Sequence, residues 1–91
     1  MIVVVEYEFV PEESERRLAA RPAHREWLAS LKSDGRLVQA GPFADGTSAL
    51  LVFDVADPAD LDALLAADPY PKDCYAIGSR RPWTPLFDVA H

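Results

Sequence analysis

The hydrophobic pattern of this chain predicts an α+β fold, a four-stranded antiparallel sheet with two helices on one face. Three observations point to it. Four runs are rich in β-branched and aromatic residues, two stretches repeat apolar residues at helical spacing, and Gly or Pro marks the breaks between them. A length of 91 residues allows one core, so residues 1–91 are expected to form a single domain.

The first run, residues 2–9, puts Val3, Val5, Tyr7 and Phe9 on one strand face and Ile2, Val4, Glu6 and Glu8 on the other. The second face is half apolar, which hints that a partner covers it. Pro11 to Ala20 is charged and reads as a short irregular helix. The main first helix is expected from Pro22, at the favoured first helical position, to about Ser33, before "DGR" turns the chain; a start at Glu12 with a kink at Pro22 would keep the same side-chain directions but take His24 out of the first turn. Strand two is "RLVQAG", and "PFADG" turns the chain into strand three, "TSALLVFDV".

The second helix carries a clear start signal: Asp57 as cap, Pro58 at the first position, and Asp60 and Asp62 at the positive end of the dipole. Its buried stripe is Leu61, Leu64 and Leu65, and Pro69 is expected to end it at Asp68. A last strand spans roughly Asp73 to Ser79, and the tail "RRPWTPLFDVAH" is expected to add an edge strand or reach a neighbour. The order βαββαβ is that of a ferredoxin-like sandwich, whose two helices run antiparallel.

Composition narrows the function. Fifteen acids against nine bases, a net charge of −6 and a pI of 4.7 argue against nucleic acid, which requires a basic surface. The longest apolar run, Ala49 to Phe53, is far short of the roughly 20 residues of a membrane span, and the start "MIVVVEYEF" reads as a strand rather than a signal peptide. With one cysteine, Cys74, no intrachain disulfide can form, and the cytoplasm is the expected compartment. His24, His91 and Cys74 are too few for a closed zinc site, and neither a G-x-G-x-x-G motif nor a P-loop is present. No metal and no cofactor is expected.

Two polar residues stand out against this background. In "RPAHREWLASL", His24 shares one helical face with Trp27, Leu28 and Leu31, the face that packs inward. Asp68 continues the leucine stripe of the second helix, where a carboxylate at a helix C-terminus is misplaced by about 0.3–1 kcal/mol. With antiparallel helices, the start of the first lies beside the end of the second, so His24 and Asp68 are expected to meet. Each residue alone has a plain explanation: a core histidine with one hydrogen bond, or an Asp accepting a backbone N–H in the Asp-Pro-Tyr-Pro turn. Together they suit a dyad in which the carboxylate fixes the histidine tautomer and raises its basicity, while a helix start disfavours imidazolium.

Arg21, one turn before His24, is placed to hold an anionic substrate, and Tyr70 to offer a hydroxyl; Arg17, Arg80, Arg81 and Tyr75 are weaker candidates. Trp27 and Trp83 read as core or interface anchors. Ser30 and Ser48 lack the context of a nucleophile, and Cys74 reads as a small core residue.

"RLAARPAHREWLASLKSDGRLVQAGP" and "ALLVFDVADPADLDALLAADPYPKDCY" together resemble the YciI-like family of YCII-related domain proteins over nearly the whole chain. The most distinctive stretches are Arg21-Pro22-Ala23-His24, Gly35-Arg36-Leu37 with Ala40-Gly41-Pro42, and Ala67-Asp68-Pro69-Tyr70. The resemblance implies a ferredoxin-like subunit paired into a dimeric α/β barrel, with a His-Asp dyad falling on His24 and Asp68. It also implies a small-molecule enzyme, since relatives look like dehydrochlorinases or lyases of small ring compounds and muconolactone isomerases share the barrel. The short "FADG" connection departs from relatives that carry a long insertion there, so substrate size does not carry over.

The expected function is a cofactor-independent lyase or isomerase acting on a small anionic or cyclic substrate, in a homodimer or higher homo-oligomer. His24 would move a proton, Asp68 orient it, and Arg21 and Tyr70 bind substrate. The alternatives are a non-catalytic ligand-binding or dimerisation module, and a cofactor-free oxygenase or aromatic cyclase of the same barrel superfamily.

Overall fold

Strand β1, Ile2–Phe9, is the spine of the fold, because its alternation of apolar residues lets it bury one whole face. Val3, Val5 and Tyr7 are at most 1% exposed. The structure is a computed structural model and describes residues 1–87. The order along the chain is β1, a 3₁₀ turn at Pro11–Glu13, α1 (Ser14–Ser33), β2 (Leu37–Pro42), β3 (Ser48–Asp54), α2 (Pro58–Ala66) and β4 (Tyr75–Trp83). The sheet order β2-β3-β1-β4, with every neighbour antiparallel, is the ferredoxin-like arrangement expected from the sequence.

Both helices contribute to the core on one sheet face: Leu31 from α1 and Leu61 and Leu64 from α2 pack with Val3, Val5, Tyr7, Leu51 and Phe53. Helix α2 begins as its sequence demands, with the Asp57 carboxylate accepting the Asp60 N–H at 2.8 Å and Pro58 in the first turn. It ends at Ala66, two residues before Asp68, so Asp68 lies in the turn that follows rather than in the helix. Gly35 (φ +75°) closes α1, the Gly35 and Arg36 N–H groups donating to Lys32 and Leu31 carbonyls, a reversal that needs the left-handed conformation.

Helix α1 starts at Ser14, not at Pro22, which lies inside it. The proline that sits at a helical first position is Pro11, followed by Glu12 and Glu13 at the positive end of the turn, and residues 14–20 are good helix formers that carry the pattern on. Pro22 removes the hydrogen bond to the Leu18 carbonyl, but Pro22 and Leu18 are both on the exposed side, where water reaches the freed carbonyl. Strand β4 is also longer than expected, reaching Trp83. Of the tail expected to add an edge strand or reach a neighbour, Arg80–Trp83 continue β4 itself by pairing with Ile2–Val5, with Pro82 tolerated because β4 is an edge strand. The end of that tail, residues 88–91 with His91, lies outside the described residues.

Candidate active site

Helix α1 presents a stripe of long side chains over the sheet. Arg17, Arg21, His24, Arg25 and Leu28 follow one another at spacings that keep them on one side of a 3.6-residue helix, and all line a cavity of about 300 Å³. Its floor is Ala49 and Leu51 of β3 with Ala40–Pro42 of β2, and Phe9 and Tyr70 close one end. Ala40, Gly41 and Ala49 keep that floor low across the span of α1 from Arg17 to Leu28.

His24 and Asp68 meet, as expected. His24 Nδ1 lies 2.7 Å from Asp68 Oδ1, in a pair whose side chains are 9% and 0% exposed. Asp68 takes two further hydrogen bonds: the Tyr7 hydroxyl donates to Oδ2 at 2.7 Å, and the Tyr70 N–H donates to Oδ1 at 2.9 Å. The turn bond and the dyad therefore coexist on one carboxylate. A carboxylate only accepts, so Nδ1 carries a proton and donates it to Asp68. In neutral imidazole this leaves Nε2 with a free lone pair. Nε2 has no hydrogen-bond partner among the described residues and is not sealed from solvent, which leaves it to the cavity that His24 lines.

Packing fixes the ring as firmly as the hydrogen bond does. Tyr70 stacks on the imidazole with centroids 3.8 Å apart and planes 7° from parallel, while Trp27 approaches at 5.7 Å. Tyr70 thus belongs to the site, but its ring orients His24 and its backbone holds Asp68. The Lys72 ammonium ties down the turn from outside, donating to the carbonyls of Leu65 at 3.0 Å and Asp68 at 2.8 Å, which supplies the positive charge that a helix C-terminus favours.

His24 lies ten residues past Ser14, beyond the first turn in which the dipole acts, so the helix start does not bear on its charge and Asp68 is the influence in contact with it. Burial, reinforced by the Asp68 charge and the hydrogen bond to it, pushes the Tyr7 phenol far above its ordinary value of 10.0, so Tyr7 is a permanent neutral donor.

Tyr7 is the residue that sequence reasoning missed. The available signal was a phenol on an otherwise hydrocarbon strand face, since a buried tyrosine hydroxyl must find a partner. Arg21 lines the cavity as expected, and Arg17, ranked lower in sequence, lines it too. Arg80 does not; it bonds Asp62 at 2.6 Å and the Pro58 carbonyl at 3.0 Å. Tyr75 stacks on Tyr7 at 4.2 Å behind the dyad. Cys74 is a buried free thiol, as expected of a small core residue.

The model of the YCII-related domain matches residues 1–84. The chain belongs to the YCII-related domain family. A solved structure, 5-chloro-2-hydroxyhydroquinone dehydrochlorinase (TftG) from Burkholderia phenoliruptrix AC1100 in complex with 2,5-dihydroxybenzoquinone, superposes with a TM-score of 0.80. It is 19% identical, over 92% of this chain and 94% of that one, a likeness of fold. No curated protein matches this YCII-related chain in sequence. No helix among its described residues is long and apolar enough to cross a membrane.

Proposed function

We propose that this chain is a cofactor-independent lyase or isomerase in which His24 Nε2 removes a proton from a small substrate. The carrying observation is the pairing of His24 Nδ1 with buried Asp68 at 2.7 Å, which leaves Nε2 as the unoccupied base at the cavity. Asp68 holds the tautomer and stabilises the imidazolium formed on proton transfer. Tyr7 and the Tyr70 N–H hold Asp68, the Tyr70 ring holds the imidazole, and Arg21 binds the substrate's negative charge. In a dehydrochlorination, the base takes a substrate proton, the electron pair left behind forms a double bond, and chloride departs. The imidazolium then gives its proton to water, for a net loss of HCl. In an isomerisation it returns the proton to another atom of the substrate.

The test uses 5-chloro-2-hydroxyhydroquinone, the substrate named for the structural neighbour, and follows chloride release. The expected result is release that falls about 10²–10⁴-fold in His24→Gln, the usual contribution of a positioned acid–base group. Release that is unchanged in His24→Gln overturns the mechanism. A second reading, a ligand-binding module with a structural dyad, is favoured by the three hydrogen bonds on Asp68, which would serve equally to fix the fold. It requires His24→Ala and Asp68→Asn both to lose much stability, whereas catalysis requires small losses with turnover abolished.

The open sheet face supports a homodimer of the barrel type. Ile2, Val4, Leu50 and Val52 lie there with Trp83, which is 51% exposed. Pairing of this face with a second copy would cover it. The free Cys74 thiol suits a reducing compartment, the cytoplasm.

A further inference from the structure

The arginines of this acidic chain are divided in a way that ion pairing alone does not explain. Arg16, Arg36 and Arg80 each pair with an Asp or Glu. Arg17, Arg21, Arg25 and the β4 residue Arg81 make no ion pair among the described residues, although the chain has fifteen acids for nine bases, and the first three stand together on α1. Arg17, Arg21 and Arg25 line the same cavity, at i, i+4 and i+8 of α1. Like charges at this spacing repel, so the stripe opposes its own helix unless an anion joins it.

Their burial assigns them different parts. Arg17 and Arg21 are partly buried, whereas Arg25 is exposed at the rim. The Arg17 guanidinium carbon lies over the Phe9 ring, 3.9 Å from its centroid, which holds the head group at that end of the cavity. Its Nε is sealed without a partner, while its two terminal nitrogens are neither sealed nor hydrogen-bonded. A planar fork anchored over an aromatic ring with its terminal N–H groups unused matches the two oxygens of a carboxylate. The rest of the lining is largely apolar, with Phe9, Leu28, Ala49 and Leu51, which suits a hydrocarbon body rather than a bare ion.

We infer that the ligand of this cavity is a small organic carboxylate, its acid group held between Arg17 and Arg21 and its apolar body against Phe9, Leu28 and Leu51. Arg25 at the mouth draws it in. Arg21 and His24 are three residues apart, neighbours on the helix surface, so the acid group sits within a few bonds of the carbon or oxygen that meets Nε2. The inference rests on the reading of this cavity as the substrate site and adds that its preferred substrate carries a carboxylate, a group that 5-chloro-2-hydroxyhydroquinone lacks and that the base step itself does not need.

Benzoate, benzamide and inorganic phosphate are the probes, followed by NMR titration at low salt on the wild type, Arg17→Met, Arg21→Met and His24→Gln. Benzoate is expected to shift cavity resonances in the wild type and in His24→Gln, and to bind at least about tenfold more weakly in either arginine variant. Added salt should weaken it. If Arg17→Met fails to fold for want of its Phe9 contact, Arg17→Lys keeps the charge without the fork and should weaken benzoate in the same direction. Benzamide binding as well as benzoate, phosphate binding as well as benzoate, or arginine variants that bind benzoate like the wild type would each overturn the inference. Chloride release that depends on His24 with no benzoate binding would overturn only the carboxylate. Benzoate binding without any turnover that depends on His24 would overturn only the enzymatic reading.

Discussion

Replacing Asp68 by Asn and by Ala should produce two very different proteins. Three donors converge on this carboxylate, the Tyr7 hydroxyl, His24 Nδ1–H and the Tyr70 N–H. In Asp68→Asn the amide oxygen can keep the last two, while the amide NH₂ faces Tyr7, whose hydroxyl can turn to accept. What is lost is charge assistance, about 1 kcal/mol per bond, offset in part because no ion is then buried. A net loss of about 1–2 kcal/mol is expected, lowering Tm by roughly 4–16 °C for a domain of this size. Asp68→Ala strands all three buried donors at about 1–3 kcal/mol each, a total of about 3–9 kcal/mol. A chain this long has only about 5–14 kcal/mol in all, so Asp68→Ala should be at the edge of unfolding at room temperature. Urea unfolding followed by circular dichroism measures both. If the two variants agree within about 0.5 kcal/mol, the carboxylate is not the shared acceptor described above.

Other expectations concern pH, backbone and assembly. Because the native Tyr7 phenol holds its proton far above the ordinary value of 10.0, stability is fully present below pH 10 and falls as pH rises beyond it, by about 1.4 kcal/mol per pH unit. Tyr7→Phe should flatten the alkaline fall in urea midpoints by that one proton, and an identical fall in both proteins would refute the assignment. Pro22→Ala restores an amide donor in the middle of α1 and removes a residue about 3 kcal/mol worse than Ala in a helix interior. It should raise Tm, and a fall would mean that the proline's shape is needed by the packing around it. Trp83→Glu should shift a dimer to monomer in sedimentation, with the monomer's circular dichroism spectrum native; an unshifted sedimentation coefficient would place the partner surface elsewhere.

The sequence alone determined the sheet and its helices, because period-2 and period-3.6 patterns report directly which face of an element is buried. It also led to the meeting of His24 and Asp68, through the antiparallel helices of the βαββαβ order, although His24 lies in the middle of α1 and Asp68 in the turn after α2 rather than at two adjoining helix ends. The limits of α1 were not legible in the same way. Two prolines compete for the helix start, and only the location of Pro22 on the solvent side makes it tolerable inside. Tyr7 lies 61 residues from Asp68 and on another element, so nothing local couples them; the sheet brings β1 beneath the turn after α2. The arginine stripe was visible as spacing, but its meaning depended on small residues from β2 and β3 that open a cavity beneath it. Local patterns fix which way a side chain faces, whereas what it faces is a property of the folded whole.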